Sequence, residues 1–575
     1  GPEFVRADLA ELGAVLELNA SSDGRDAAIK AVADGLRLRK EAFLSGLGGK
    51  AGIALSGGGF RAALFHLGVL EALAASDRLR RVEVLSCVSG GSIVGAIYYL
   101  HLRELLQREC DCRIGPRDYE VVVERTRLAV ERLAASDLRA RLLANPVRFL
   151  RVLLLPGRSR TSALAEMLGL EFGKIAPEAA GNDISGLVVE PRVCDACRAR
   201  IRVKRPRSSF SPRFENWGRA AKVPILVLNA TCLNTGHAWQ FTATWAGEPP
   251  VETDTQLDAL PRLERLRHRD LQKDGKAAPK TGLAEAVATS AAVPGLLAPR
   301  TLRGLYQGVA VRLVDGGVHD NQGLGGLFDQ GCSRIAVSDA SGQMSYEESP
   351  GRSVLSVPWR ANSVLQARVR ELRLEGLERK VSSGAIGELV LVHLTLGLES
   401  PTIRGLTNRG VGPVAPAPAA VTSYGVPVAV QQALSRVRTD LDSFSPLEIL
   451  ALRENGRMMT ETALGRASGR PSVLVAGPAT IRALEVGAHR LFKVARLGGR
   501  RMAGWIALGG VLGAAAAVAP SALPVIASAW AAAPAWAAPV AIGLGSALAA
   551  PPAYGWLKLG IVNRLYRRMS TSWRR

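Results

Sequence analysis

Gly52-Ile53-Ala54-Leu55-Ser56-Gly57-Gly58-Gly59-Phe60-Arg61, with Ala62, Leu64, Leu67, Leu70 and Leu73 following at helical spacing, reads as a short buried strand, a three-glycine loop and an amphipathic helix. Three residues without a Cβ let the backbone bend sharply and leave N–H groups uncovered at a helix N-terminus, where the dipole favours negative charge. This is an arrangement for binding an anion. A second corner follows, in which the apolar run Val82-Glu83-Val84-Leu85-Ser86-Cys87-Val88 passes into Ser89-Gly90-Gly91-Ser92-Ile93-Val94-Gly95-Ala96 and another helix. A serine at a strand-to-helix corner has the form of the nucleophile elbow G-x-S-x-G, where the serine backbone is strained and only small neighbours fit. Cys87-Val88-Ser89-Gly90-Gly91 matches with Cys87 in place of the first glycine. Gly90-Gly91-Ser92-Ile93-Val94 keeps that glycine but ends in a β-branched valine, so Ser89 is the preferred register.

Other readings of the glycines are weaker. Gly57-Gly58-Gly59-Phe60-Arg61-Ala62 satisfies G-x-G-x-x-A, yet a dinucleotide site expects an acid at the end of the next strand, and that strand ends in Cys87-Val88-Ser89 with its one acid, Glu83, near its start. No Gly-Lys-Ser/Thr follows, which excludes a phosphate-binding P-loop. Either cluster alone is compatible with a purely structural turn.

Together the two corners resemble the patatin-like phospholipases, in which a Gly-Gly-Gly-x-Arg oxyanion loop precedes a serine elbow and an Asp-Gly-Gly or Asp-Gly-Ala motif far downstream supplies the second member of a Ser–Asp dyad. Leu313-Val314-Asp315-Gly316-Gly317-Val318-His319-Asp320-Asn321 carries that motif, and Asp315 matches the aspartate. The resemblance extends to Val223–Thr242, Ala288–Pro299 and Leu441–Leu464. It implies a layered α/β/α core around a central mixed sheet, and a lipid acyl hydrolase of phospholipase A or lysophospholipase type. Ser89 and Asp315 would form its dyad, Gly57, Gly58, Gly59 and Gly90 its oxyanion hole, and Arg61 would lock the loop. No catalytic histidine is implied and no cofactor is required for catalysis. His319 adjoins Asp315 in sequence, as a triad would need, whereas His66 is expected on the surface or in the core.

The remaining sequence sets this core in context. At 575 residues the chain is too long for one ordinary domain, and 47% hydrophobic residues supply a sizeable core. The net charge of +22 calls for an anionic partner. With no nucleic-acid motif and only 5% aromatic residues, an anionic phospholipid membrane is favoured over nucleic acid. Gly1-Pro2-Glu3-Phe4 reads as a cloning remnant, 5–49 as a helical segment, 50–467 as the catalytic domain and 468–501 as a linker or amphipathic helix. Strand-like runs at Ile225–Asn229, Gln240–Thr244, Val311–Val314, Arg334–Val337 and Leu389–Leu396 alternate with helical segments. Ser445-Pro446-Leu447-Glu448 is a helix start, with serine at the N-cap, proline next and glutamate third.

From Met502 to Leu557 there is no charged residue, Trp505, Trp530, Trp536 and Trp556 divide the stretch into two bilayer-length parts, and arginines and lysines flank both ends. The expectation for 502–575 is an apolar helical hairpin with a basic tail, holding the domain on the cytoplasmic face of a membrane or packing between subunits of a homo-oligomer. Seven cysteines, an odd and sparse set, suit a reducing compartment. Cys110, Cys112, Cys194 and Cys197 would hold one structural zinc if the fold brings them together, and are otherwise ordinary thiols. Two alternatives stand beside the lipase: an esterase or thioesterase acting on soluble acyl compounds, and a membrane scaffold with a non-catalytic domain.

Overall fold

The computed structural model describes residues 49–488, apart from 140, 142–158, 198–209, 250–265, 271–279, 399–419, 467–476 and a few further single or paired positions. The 5–48 segment and the 502–557 stretch expected to form an apolar hairpin lie outside the described residues. Among those that are described, no helix is long and apolar enough to cross a membrane.

In chain order the elements that frame the site are β1 (Lys50–Leu55), α1 (Gly59–Ala75), β2 (Val82–Val88), α2 (Gly90–Arg108), α3 (Pro116–Ser136), α4 (Arg160–Phe172), β3 (Ile225–Cys232), β4 (Ala238–Phe241), β5 (Trp245–Gly247), β6 (Arg269–Asp270), α5 (Leu283–Ser290), β7 (Arg300–Tyr306), β8 (Val309–Asp315), β9 (Cys332–Asp339), α6 (Ser356–Ser382), β10 (Glu388–His393), α7 (Val428–Arg436), α8 (Pro446–Ala463) and α9 (Pro478–Gly487). The strands form one mixed sheet in the order β10-β9-β1-β2-β3-β4-β5-β6, with β8 also on β3 and β7 on β8. β10, β9, β1, β2 and β3 run parallel, and β4 and β8 run antiparallel to β3.

The layering follows from side-chain alternation along the parallel strands. Ile53, Leu55, Leu85, Cys87, Leu226 and Leu228 enter one large apolar cluster with α1, α2, α3 and α8, whereas the intervening Ala54, Val84 and Val227 enter a second cluster with Leu324, Leu327 and Leu377. Successive strand side chains point to opposite faces, so the sheet is covered on both, which is why its parallel strands read as continuous apolar runs. The α/β/α architecture is the one expected. α8 begins at the predicted cap: Ser445 Oγ accepts the Glu448 N–H (3.3 Å) and Glu448 Oε2 accepts the Ser445 N–H (2.7 Å). It crosses α1 closely at Gly68 and Gly456, each of which faces the other helix's backbone.

Strand bounds differ locally from expectation. The strand foreseen at Gln240–Thr244 is β4, Ala238–Phe241, because Thr242 Oγ1 accepts the N–H groups of Thr244 (3.2 Å) and Trp245 (2.9 Å) and turns the chain there. α9, in the segment placed after the catalytic domain, buries Thr480, Ala483 and Leu484 against α7 and α8.

The exchange at β3 places the site. β2 pairs with β3 up to Val88 opposite Asn229, and the next β3 residue, Ala230, is opposite Asp315 of β8. β4 occupies the other edge of β3 over Leu228–Thr231, so β8 must take over the edge that β2 leaves. The chain end of β2 and that of β8 therefore meet, and these ends carry Ser89 and Asp315.

Candidate active site

Ser89 caps α2 in a conformation that L residues seldom adopt, φ 51° and ψ −116°, and it is 6% exposed. Ser92, the competing register, is ordinary helix, fully buried, its Oγ 2.8 Å from Ser290 Oγ. Only the first of these two serines stands at a strained corner. Cys87 fits in the first-glycine position because its sulfur occupies the space that a side chain at Gly95 would need.

The glycine loop packs directly on this corner. Gly58 and Gly59 have φ of 134° and 58°; a Cβ on Gly58 would lie 2.8 Å from Ala340 O, and one on Gly59 2.6 Å from Asp440 O. Gly90 rests on the backbone of Gly59 so closely that no side chain fits between them. The N–H groups of Gly58, Gly59 and Gly90, at the starts of α1 and α2, have no partner among the described residues and carry the positive ends of two helix dipoles. Gly57, counted with the anion donors on sequence, is a correction: its N–H donates to Asn321 O at 3.0 Å and is not free. Arg61 is buried and fastens the loop, donating to Ala340 O (3.2 and 2.9 Å), Val437 O (2.7 Å) and Ser435 O (3.4 Å).

Asp315 is 5% exposed at the end of β8. Its N–H donates to Ala292 O (3.0 Å), its carbonyl accepts from Thr231 Oγ1 (2.8 Å), and Oδ1 accepts the Gly317 N–H (2.7 Å). Oδ2 is buried with no hydrogen-bond partner among the described residues. Burial pushes the carboxyl pKa up, to about 6, against the pull of the Gly317 N–H and the Ser89 hydroxyl. The register of β3, with Val88 opposite Asn229 and Asp315 opposite Ala230, brings the Ser89 corner to this carboxyl; no hydrogen bond between the two side chains is closed, and such contacts commonly tighten when substrate binds.

His66 and His319 have partners other than Ser89 and Asp315. His66 is fully buried between Ser338 Oγ (2.6 Å) and Ser56 O (3.0 Å), and burial lowers its pKa to about 4. His319 Nδ1 lies 3.5 Å from Arg373 Nη2. Asp320 accepts the N–H groups of Gly323 (3.1 Å) and Gly325 (2.7 Å) and holds the turn after the aspartate motif.

Sequence reasoning did not find the residues beneath the corner. Ser290 Oγ accepts the Ser89 N–H (3.0 Å) and donates to Asn229 O (2.5 Å), while Asn229 Nδ2 donates to Ser86 Oγ and Cys87 O, both at 2.9 Å. These groups lie far apart in the chain, and single polar residues in apolar runs were the one signal available. Ser290→Ala is expected to orphan the buried Ser89 N–H and lower stability by about 1–3 kcal/mol, measured by chemical denaturation.

Away from this corner, the four sulfurs of Cys110, Cys112, Cys194 and Cys197 lie within 4.8 Å of one another.

Residues 53–327 match the model of the family described as patatin-like phospholipase, a span that includes Ser89 and Asp315 and stops short of Leu441–Leu464. No curated protein matches the chain. Among solved structures it is similar to VipD from Legionella pneumophila, at 15% identity over 62% of this chain and 63% of that one, TM-score 0.23. It is also similar to human GIVD cytosolic phospholipase A2, at 16% identity over 80% of this chain and 63% of that one, TM-score 0.29. The chain thus spans a little under two thirds of the length of either protein. The glycine loop, the serine corner, the aspartate motif and the family match agree: residues 53–327 form a patatin-like phospholipase domain, the domain of lipid acyl hydrolases.

Proposed function

We propose that this protein hydrolyses acyl esters of membrane phospholipids or lysophospholipids with Ser89 as nucleophile and Asp315 as the general base. The observation that carries this reading is the strained Ser89 at the strand end that meets a buried carboxyl whose Oδ2 has no hydrogen-bond partner among the described residues. Ser89 Oγ attacks the ester carbonyl carbon and its proton passes to Asp315 Oδ2. The oxyanion develops against the N–H groups of Gly58, Gly59 and Gly90, where loss of one such donor typically costs about 3 kcal/mol of transition-state stabilisation. Collapse of the tetrahedral intermediate expels the alcohol, which takes the proton from Asp315 and leaves an acyl ester on Ser89. Water then attacks the ester carbon as Asp315 takes its proton, and collapse of this second tetrahedral intermediate breaks the bond to Ser89 Oγ, which recovers the proton from Asp315 as the fatty acid leaves. The dipole of α2 favours negative charge at Ser89, which helps a weakly basic carboxylate draw the serine proton. Covalent labelling by a fluorophosphonate, lost in Ser89→Ala, tests the nucleophile and would fail for a scaffold with no chemistry.

The lipid assignment rests on the family match, the +22 charge and the uncharged 502–557 segment. An anionic leaflet attracts each nearby Lys or Arg by about 1 kcal/mol, so the basic flanks would add to hydrophobic insertion on the cytoplasmic face. Truncation after Gly499 is expected to release the protein from membranes and to reduce hydrolysis of anionic vesicles at least about tenfold, with turnover of a short soluble ester changed less than about twofold. A truncated chain that still pellets with membranes after a high-salt wash, or equal losses on both substrates, counts against this attachment and favours the soluble esterase.

A further inference from the structure

We propose that Cys110, Cys112, Cys194 and Cys197 form a tetrathiolate zinc site that clamps the far end of the nucleophile helix to the chain entering β3. The two pairs are separated by more than eighty residues of sequence, and the fold nevertheless gathers all four sulfurs within 4.8 Å of one another. Zinc bound by thiolates at about 2.3 Å sets the edge of its sulfur tetrahedron at about 3.8 Å. Cys112 Sγ and Cys194 Sγ are 3.7 Å apart, which is that edge and far beyond the S–S bond of about 2.0 Å. The Cys194 N–H donates to Cys110 Sγ at 3.2 Å, the kind of contact that stabilises a thiolate. Four thiolates this close repel one another unless a cation sits among them, and an all-sulfur tetrahedral set selects zinc among the common divalent ions.

The surroundings fix both halves of the clamp. Asp111 points away from the sulfurs: its carboxylate accepts the N–H groups of Ala220 (2.9 Å) and Ala221 (2.6 Å) and pairs with Arg219 (3.5 Å). On the other side, the Arg192 N–H donates to Leu106 O (2.9 Å) and its guanidinium to Arg108 O (2.9 Å), laying the second pair along the end of α2. α2 has 19 residues and runs roughly 28 Å from Ser89, so the metal is too distant to touch substrate and its role is structural. Arg108, Arg113 and Arg192 flank the two pairs in sequence and add positive charge beside a four-thiolate centre.

The test begins with the full chain purified without chelator, by metal analysis and by mercurial titration of thiols in the presence of a zinc-binding dye. One zinc per chain is expected, released as these four thiols react, and cobalt(II) substitution should give the absorption of a tetrahedral thiolate site. Cys112→Ser and Cys194→Ser should each lose most of the zinc and lower the thermal midpoint by several degrees. The metal and cobalt measurements on the unaltered chain stand whether or not these variants fold, and whether or not the protein hydrolyses lipids. Zinc below about a tenth per chain with the four thiols freely titratable, or unreduced peptides showing disulfides between the two pairs, overturns the proposal.

Discussion

Ser89→Ala is expected to abolish ester hydrolysis and fluorophosphonate labelling, a loss of about ten-thousandfold or more, while Ser92→Ala keeps both. Both serines are buried within one turn of the same helix, so the pair separates chemistry from packing. Ser89 has the strained backbone, the three uncommitted glycine N–H groups above it and the buried carboxyl of Asp315 beside it. Ser92 Oγ is bound to Ser290 Oγ, and its removal is expected to lower stability by about 1 kcal/mol and leave the corner in place. A dead Ser92→Ala enzyme with an active, labelled Ser89→Ala enzyme would move the nucleophile by one turn. Normal turnover in both would remove the serine mechanism.

How much of this was legible depended on how local each signal is. The two glycine corners, the aspartate motif and the capping box at Ser445 are patterns of fewer than ten residues, and each formed where the pattern put it because its cause is local sterics or a local hydrogen bond. The meeting of Ser89 with Asp315 was carried by resemblance alone. Its physical cause is that β8 replaces β2 along one edge of β3, a long-range pairing that no periodicity announces. Ser290 and Asn229 were missed for the same reason, since each contacts an element remote in sequence. α6, a 27-residue helix, carries no apolar stripe: exposed Val357, Val364, Leu365 and Leu372 are mixed among its charges, so its pattern gave no helical face to find. Gly57 was misjudged because a glycine's position in a loop does not tell where its N–H is spent.

Asp315→Asn is expected to lose about a thousandfold or more in turnover and at the same time to make the protein more stable at neutral pH. The carboxyl is buried, its Oδ2 is unpartnered, and its pKa is raised to about 6. The folded protein therefore keeps a proton that the unfolded chain has already released in the ordinary carboxylate range. The sign follows: stability from this group is fully present below its unfolded pKa and is lost as pH rises through about 6, where the ion must exist without water. Catalysis needs that ion, because only the carboxylate can accept the Ser89 proton, so kcat/KM of the unaltered enzyme should rise with pH through the same value. Asparagine keeps an acceptor for the Gly317 N–H without the buried charge. Its stability gain, of about 1–3 kcal/mol near pH 8, should shrink toward zero below about pH 4. Denaturant melts of both proteins across pH, set against the pH–rate profile, measure the two effects independently. A variant that is inactive but no more stable at pH 8 would mean that Asp315 titrates in its ordinary range. A profile flat through pH 6 would remove Asp315 as the base. If both hold, the buried Asp315 carboxylate at the junction of β2, β3 and β8 weighs against the fold at the pH where it works, and the Gly317, Ala292 and Thr231 hydrogen bonds keep it in place.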